Sequence, residues 1–155
     1  MNEDQFHPAF PQPANENTAI WRYLTPSKFQ WMVEEGRLCM PAAARLGDPL
    51  EGTRPQGDIS WWASHAQLAP TTEVEKVINH NSEFLGEFGS AFRDRYFVSC
   101  WHMNDNVNPK MWDEYTGSTD SIAVKTTFAK LRGMLPAYVL IGMVRYIDYS
   151  TQKLP

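Results

Sequence analysis

The chain has 155 residues, a length that suits one domain; 43% are apolar and 21% charged, near ordinary globular values. Its net charge of −4 argues against broad, non-specific binding to nucleic acid or anionic membrane, and no stretch approaches the roughly 20 apolar residues that a bilayer helix needs. Glu3 and Asp4 replace the basic start of a secretory signal, so the composition points to a soluble cytoplasmic domain.

Six tryptophans, eight phenylalanines and six tyrosines supply surface for a core or for a ligand-facing wall. Cys39 and Cys100 stand far apart in apolar segments and read as reduced core thiols.

Residues 1–19, polar and rich in Pro and Asn, read as a flexible lead-in, and residues 20–155 as a single domain. Ile20 to Leu24 has the make-up of a strand. Thr25 then caps a helix, Pro26 fits its first position, Phe29, Met32 and Val33 give it one apolar face, and Gly36 stops it. Leu38-Cys39-Met40 is a short strand candidate. Gly47, Pro49, Gly52, Pro55 and Gly57 break the chain up to about Gly57, and residues 59–69 form a short helix or an aromatic-bearing loop.

Thr72 and Glu75 fit a capping box, with Val74, Val77 and Ile78 at helical spacing; Phe84, Leu85 and Phe88 extend that character, although Gly86 and Gly89 interrupt it. Tyr96 to Trp101 reads as a buried strand. Pro109 opens a helix with Met111, Trp112 and Tyr115 that ends at Gly117. Ser121 to Thr127 alternates as a strand and a helical turn follows from Phe128 to Leu131. Tyr138 to Tyr146 is the last strand candidate. Short helices alternating irregularly with strands predict a compact α+β fold with a mixed or antiparallel sheet. The last strand is either an edge or the sign of a truncated C-terminus.

The chain carries no phosphate loop, dinucleotide fingerprint, zinc-binding helix or nucleophile elbow. His102 follows the expected strand, a position from which an imidazole could carry a proton; the alternative is a histidine simply hydrogen-bonded at a strand end. Asp48 and Glu51 could converge on a cation or a sugar hydroxyl, although Asp before Pro is also a turn initiator.

Arg22, alternating with Trp21 and Tyr23, could present its planar fork to a carboxylate or phosphate, or pair with a local acid. Ser99 could face the same cleft, and Trp101 could stack on a base or serve as a core residue. His102 and Glu51 are thus the catalytic candidates, and Arg22, Asp48, Ser99 and Trp101 the ligand-binding ones. No metal ligand set is specified.

Several segments in order carry a resemblance: Trp21-Arg22-Tyr23-Leu24, Gly36-Arg37-Leu38, Gly47-Asp48-Pro49-Leu50-Glu51-Gly52, Val98-Ser99-Cys100-Trp101-His102, Met111-Trp112-Asp113-Glu114-Tyr115, Ile122 to Thr127 and Ile141 to Tyr149. Over about residues 20–150 the chain resembles the bacterial and phage proteins grouped as domain of unknown function family 2971. Gly47 stands where that family often has Asn, and members usually continue past the segment matching residues 141–149. A fold-level analogy links the same order of pieces to the ADP-ribosyltransferase superfamily. It implies NAD as a cofactor, with Arg22 holding the dinucleotide and Ser99 lining the nicotinamide pocket. The late Glu of those enzymes has no counterpart, since no Glu occurs after residue 130.

Two functions follow from these residues. A nucleotide-binding or ADP-ribosyltransferase-like domain needs Arg22, Asp48, Glu51, Ser99 and His102 around one concavity. A non-catalytic protein-interaction domain of phage or mobile-element origin needs those polar groups paired off locally and an exposed patch holding Trp61 or Trp62. The partner is accordingly a nucleotide or a protein, and the oligomeric state is open.

Overall fold

The computed structural model describes residues 9–117 and 120–154, and the fold is α+β with an antiparallel three-stranded sheet. The chain divides into two compact units. Unit 1 comprises residues 1–39 and 99–144, and unit 2 residues 40–98 and 145–155.

Unit 1 is built on β1 (Ala19–Leu24), the central strand, flanked by β2 (His102–Met103) and β3 (Ile122–Thr127) in the order β2-β1-β3. Ala19 pairs with Thr127 and Leu24 with Ile122, so β1 is matched along its full length by β3. β2 adds only Ile20↔Met103 and Trp21↔His102. Ile20 and Leu24 are buried on one face of β1, and Tyr23 on the other.

α1 (Pro26–Glu35) is bounded by Thr25, whose hydroxyl accepts from Lys28 N, and by Gly36 in the left-handed region at φ 59°, as the sequence indicates. α4 (Pro109–Thr116) runs from an Asn108 cap to Gly117 at φ 57° and lies on the Tyr23 face. The Trp112 ring meets Tyr23 edge-on at 5.0 Å, and Asn108 N donates to Tyr23 Oη at 3.0 Å. α5 (Phe128–Met134) follows β3 directly and buries Phe128 and Leu131.

Of the N-terminal segment, residues 1–8, including His7, lie outside the described residues. Residues 9–18 are held by specific bonds: Arg132 forms a bidentate pair with Glu16 at 2.6 and 2.7 Å, and Gln12 donates to the Ile141 carbonyl at 2.8 Å.

The expected strand Tyr138 to Tyr146 does not form, because its neighbour cannot sustain a ladder. That neighbour is residues 10–13, where Pro11 and Pro13 have no N–H to donate. What remains is Met143 N donating to Pro11 O at 2.8 Å and the Gln12 amide contact; a Cβ on Gly142 would press within 2.7 Å of Phe10 Cα.

Unit 2 contains a 3-10 turn (Ala43–Arg45), α2 (Gln56–Gln67) and α3 (Thr72–Phe92). α2 resolves the helix-or-loop alternative at residues 59–69 in favour of helix. α3 begins one residue before the expected box: Thr71 caps it, accepting from Val74 N at 3.3 Å. It runs unbroken through Gly86 and Gly89, because a glycine costs a helix only about 1 kcal/mol. The Leu38–Met40 strand is absent. Tyr96 to Trp101 is no ladder strand: it contributes a single bridge, Ala42↔Phe97, and pairing in unit 1 starts only at His102.

Candidate functional site

β1 presents Arg22 on the face opposite Trp21 and Tyr23. Nη1 donates to Ser99 Oγ at 2.5 Å and Nη2 to the Cys39 carbonyl at 2.7 Å. Trp101 Nε1 donates to the same Ser99 oxygen at 3.1 Å, and the Arg22 guanidinium lies 5.8 Å from the Trp101 ring centroid, within cation–π range. Burial draws the Arg22 pKa below its ordinary value, while the electrostatic interaction with the nearby Cys39 and Cys100 acts in the opposite direction. Both cysteines are exposed, which corrects their reading as core thiols: the segments carrying them form no buried strand.

Three of the six candidates therefore converge: Arg22, Ser99 and Trp101. The chemistry of the cluster is that of a clasp. Ser99 Oγ accepts two hydrogen bonds, which occupy both its lone pairs and leave none for nucleophilic attack. The guanidinium spends two of its five donors holding the chain segments at residues 39 and 99.

His102 is not part of that cluster. Its register with Trp21 puts it on Trp21's face, opposite Arg22. Its Nε2 is buried and has no hydrogen-bond partner among the described residues. On that face Trp21 is engaged at both ends: its Nε1 donates to Asn104 O at 2.8 Å, and Lys125 Nζ lies 4.7 Å from its ring.

Asp48 and Glu51 belong to unit 2. Asp48 Oδ1 accepts from Leu50 N at 2.8 Å, the turn chemistry of Asp before Pro, and its carbonyl accepts from Arg93 Nη2 at 3.1 Å. Glu51 is exposed. Tyr149 Oη donates to the Leu50 carbonyl at 3.0 Å, bracing the same loop. Among the described residues no group of three or more His, Cys, Asp or Glu side chains gathers as a metal site, and no helix is long and apolar enough to cross a membrane.

The second feature is a surface. α3 has 21 residues and buries none of them, yet its apolar residues recur at helical spacing. Val74, Val77, Phe84, Leu85 and Phe88 are all exposed. Phe84, Phe88, Phe92 and Tyr96 form a ladder of rings with centroids 5.8, 4.1 and 6.1 Å apart. On α2, Trp61 is exposed and carries the His65 ring at 3.9 Å and Lys153 Nζ at 5.1 Å, while Leu68 is 81% exposed. Apolar spacing on α3 is visible in the sequence, but periodicity reports which residues share a face, not whether anything covers it.

The chain matches no protein-family model, no curated protein and no solved structure.

Proposed function

We propose that the chain is a non-catalytic protein-interaction domain whose docking surface is the apolar face of α3. One observation carries this reading: a 21-residue helix with no buried residue exposes five large apolar side chains along one face, Val74 and Val77 near its start and Phe84, Leu85 and Phe88 further on. Scattered exposed apolar residues are ordinary, but a contiguous stripe of them marks a contact surface. The polar candidates add support, since Arg22 is paired with Ser99 and Cys39, Asp48 caps its own turn, and Trp61 is exposed.

The test is the stability of a Phe84→Ser, Phe88→Ser double variant at protein concentrations low enough to keep the chain dissociated. Helix content by circular dichroism and the unfolding midpoint should stay close to wild type. A loss on the scale of a core deletion, about 3–5 kcal/mol per phenylalanine, would show that these rings are packed inside the protein and contradict the reading.

A second reading, nucleotide binding, is favoured by the convergence of Arg22, Ser99 and Trp101. Saturable binding of NAD or ATP in ligand-observed NMR, lost in Arg22→Ala, would support it. The absence of binding by the folded chain would remove it.

A further inference from the structure

We propose that the occupant of the α3 face is a second copy of the same chain, paired antiparallel along α3 about a twofold axis near Asn81 and Phe84. This rests on the interaction reading and names its partner.

The spacing along α3 fits a helix partner. Val74, Asn81 and Phe88 are seven residues apart, as are Val77, Phe84 and Ala91, and the two sets interleave by threes and fours. That is the spacing of a helix–helix seam, in which side chains of one helix fill gaps between those of another. The pattern runs from Val74 to Ala91, about 27 Å along the 21-residue α3.

Side-chain volume along the seam favours an antiparallel copy. The seam is small at its N-terminal half, with Val74 and Val77, and large at its C-terminal half, with Phe84 and Phe88. A parallel copy would set Phe against Phe at one end and Val against Val at the other, forcing the helices apart unevenly. An antiparallel copy sets Val77 against Phe88 and Val74 against Ala91, so facing volumes are more nearly even along the seam. The stripe is thus self-complementary in the sense an isologous twofold interface requires. In the same register Asn81 falls beside the axis, opposite Phe84 of the second copy.

Charge agrees with this direction. Glu73 and Glu75 occupy the first turn of α3, and Arg93 and Arg95, with Asp94 between them, follow its last. Antiparallel pairing brings each acidic end beside the partner's basic end and opposes the two helix dipoles.

Area completes the case. Val74, Val77, Phe84, Leu85 and Phe88 are 39, 59, 55, 44 and 42% exposed. For side chains of their size that is on the order of 400 Å² of apolar surface. A standard interface buries about 800 Å² per partner, a little over half of it apolar, so the stripe supplies the apolar part of one side.

The test is the mass of the full-length chain by sedimentation equilibrium, followed by a swap across the seam. At about 100 µM the wild type should sediment at twice its 17.8 kDa chain mass. Val77→Phe and Phe88→Val should each weaken the dimer by about tenfold or more, and the double variant, which exchanges the two volumes, should recover most of that loss. Additive losses in the double variant, with circular dichroism unchanged, would overturn the antiparallel pairing. A monomeric wild type would overturn the second copy as occupant. An apolar fluorescent dye then separates the two levels. Dye binding abolished by Phe88→Glu retains α3 as a docking face for a different partner, whereas no dye binding overturns the interaction reading as well.

Discussion

β1 and α3 use apolar residues in opposite ways. β1 has six residues and buries Ile20, Tyr23 and Leu24 between its neighbours; α3 has 21 and buries none. β1 is held on both edges by hydrogen-bonded strands, and α4 lies against its Tyr23 face. α3 packs beside α2 and leaves its seam open. Large apolar side chains thus stabilise the fold in one unit and remain available for association in the other. Burial, not composition, separates the two roles.

Core deletions in unit 1 should show the largest effect. Leu131 is buried in α5, and Leu131→Ala is expected to cost about 2–5 kcal/mol in urea unfolding. An effect below about 1 kcal/mol would mean that α5 does not share the cooperative core with the sheet.

Arg22→Ala comes next. It removes two hydrogen bonds from a half-buried guanidinium and leaves the Ser99 hydroxyl and the Cys39 carbonyl without that donor, a loss of about 1–3 kcal/mol. Arg22→Lys should recover only part of it, since an ammonium cannot reproduce the planar fork. Full rescue by Lys would mean that charge, not the fork, holds residues 39 and 99.

On the other side of the comparison, Phe84→Ser in the dissociated chain should change stability by no more than about 0.5 kcal/mol, the range of surface substitutions. A drop as large as that of Leu131→Ala would erase the distinction between the two units.

The smallest effect concerns pH in unit 2. The side chains of Ser150 and Thr151, with Ser150 N, hydrogen-bond Asp148 and hold its pKa below the ordinary carboxylate value. A lowered folded-state pKa means that the turn's contribution is complete above the unfolded value near 4. It is lost as pH falls through the lower folded value. The Ser150 amide should therefore exchange faster only on acidification below the usual carboxylate range, and Asp148→Asn should abolish that dependence.

The local signals in the sequence were largely sufficient for the elements with their own punctuation. Thr25-Pro26 with Gly36, and Pro109 with Gly117, mark α1 and α4 because helix starts and left-handed stops are local chemistry. β3 was legible by alternation. Tyr138 to Tyr146 was not, because whether an extended apolar run becomes a strand depends on its neighbour's N–H groups, and the neighbour carries Pro11 and Pro13.

The site divides in the same way. Alternation placed Arg22 opposite Trp21 and Tyr23, as found, but could not say that the fork would close on the Cys39 carbonyl, 17 residues away. Nor could it say that His102 would pair with Trp21 and so fall on the opposite face from Arg22. The α3 stripe was written in the spacing of Val74, Val77, Phe84 and Phe88, while its exposure is a property of the tertiary structure alone.

The most direct test is urea unfolding of the full-length chain at two protein concentrations about a hundredfold apart, followed by the fluorescence of its tryptophans. If α3 is an association face between copies, the unfolding midpoint rises with concentration, because dimerisation stabilises the folded chain by mass action. In Phe88→Glu the two curves should then superimpose. A wild-type midpoint independent of concentration would contradict the account and leave the open face of α3 without the occupant assigned to it.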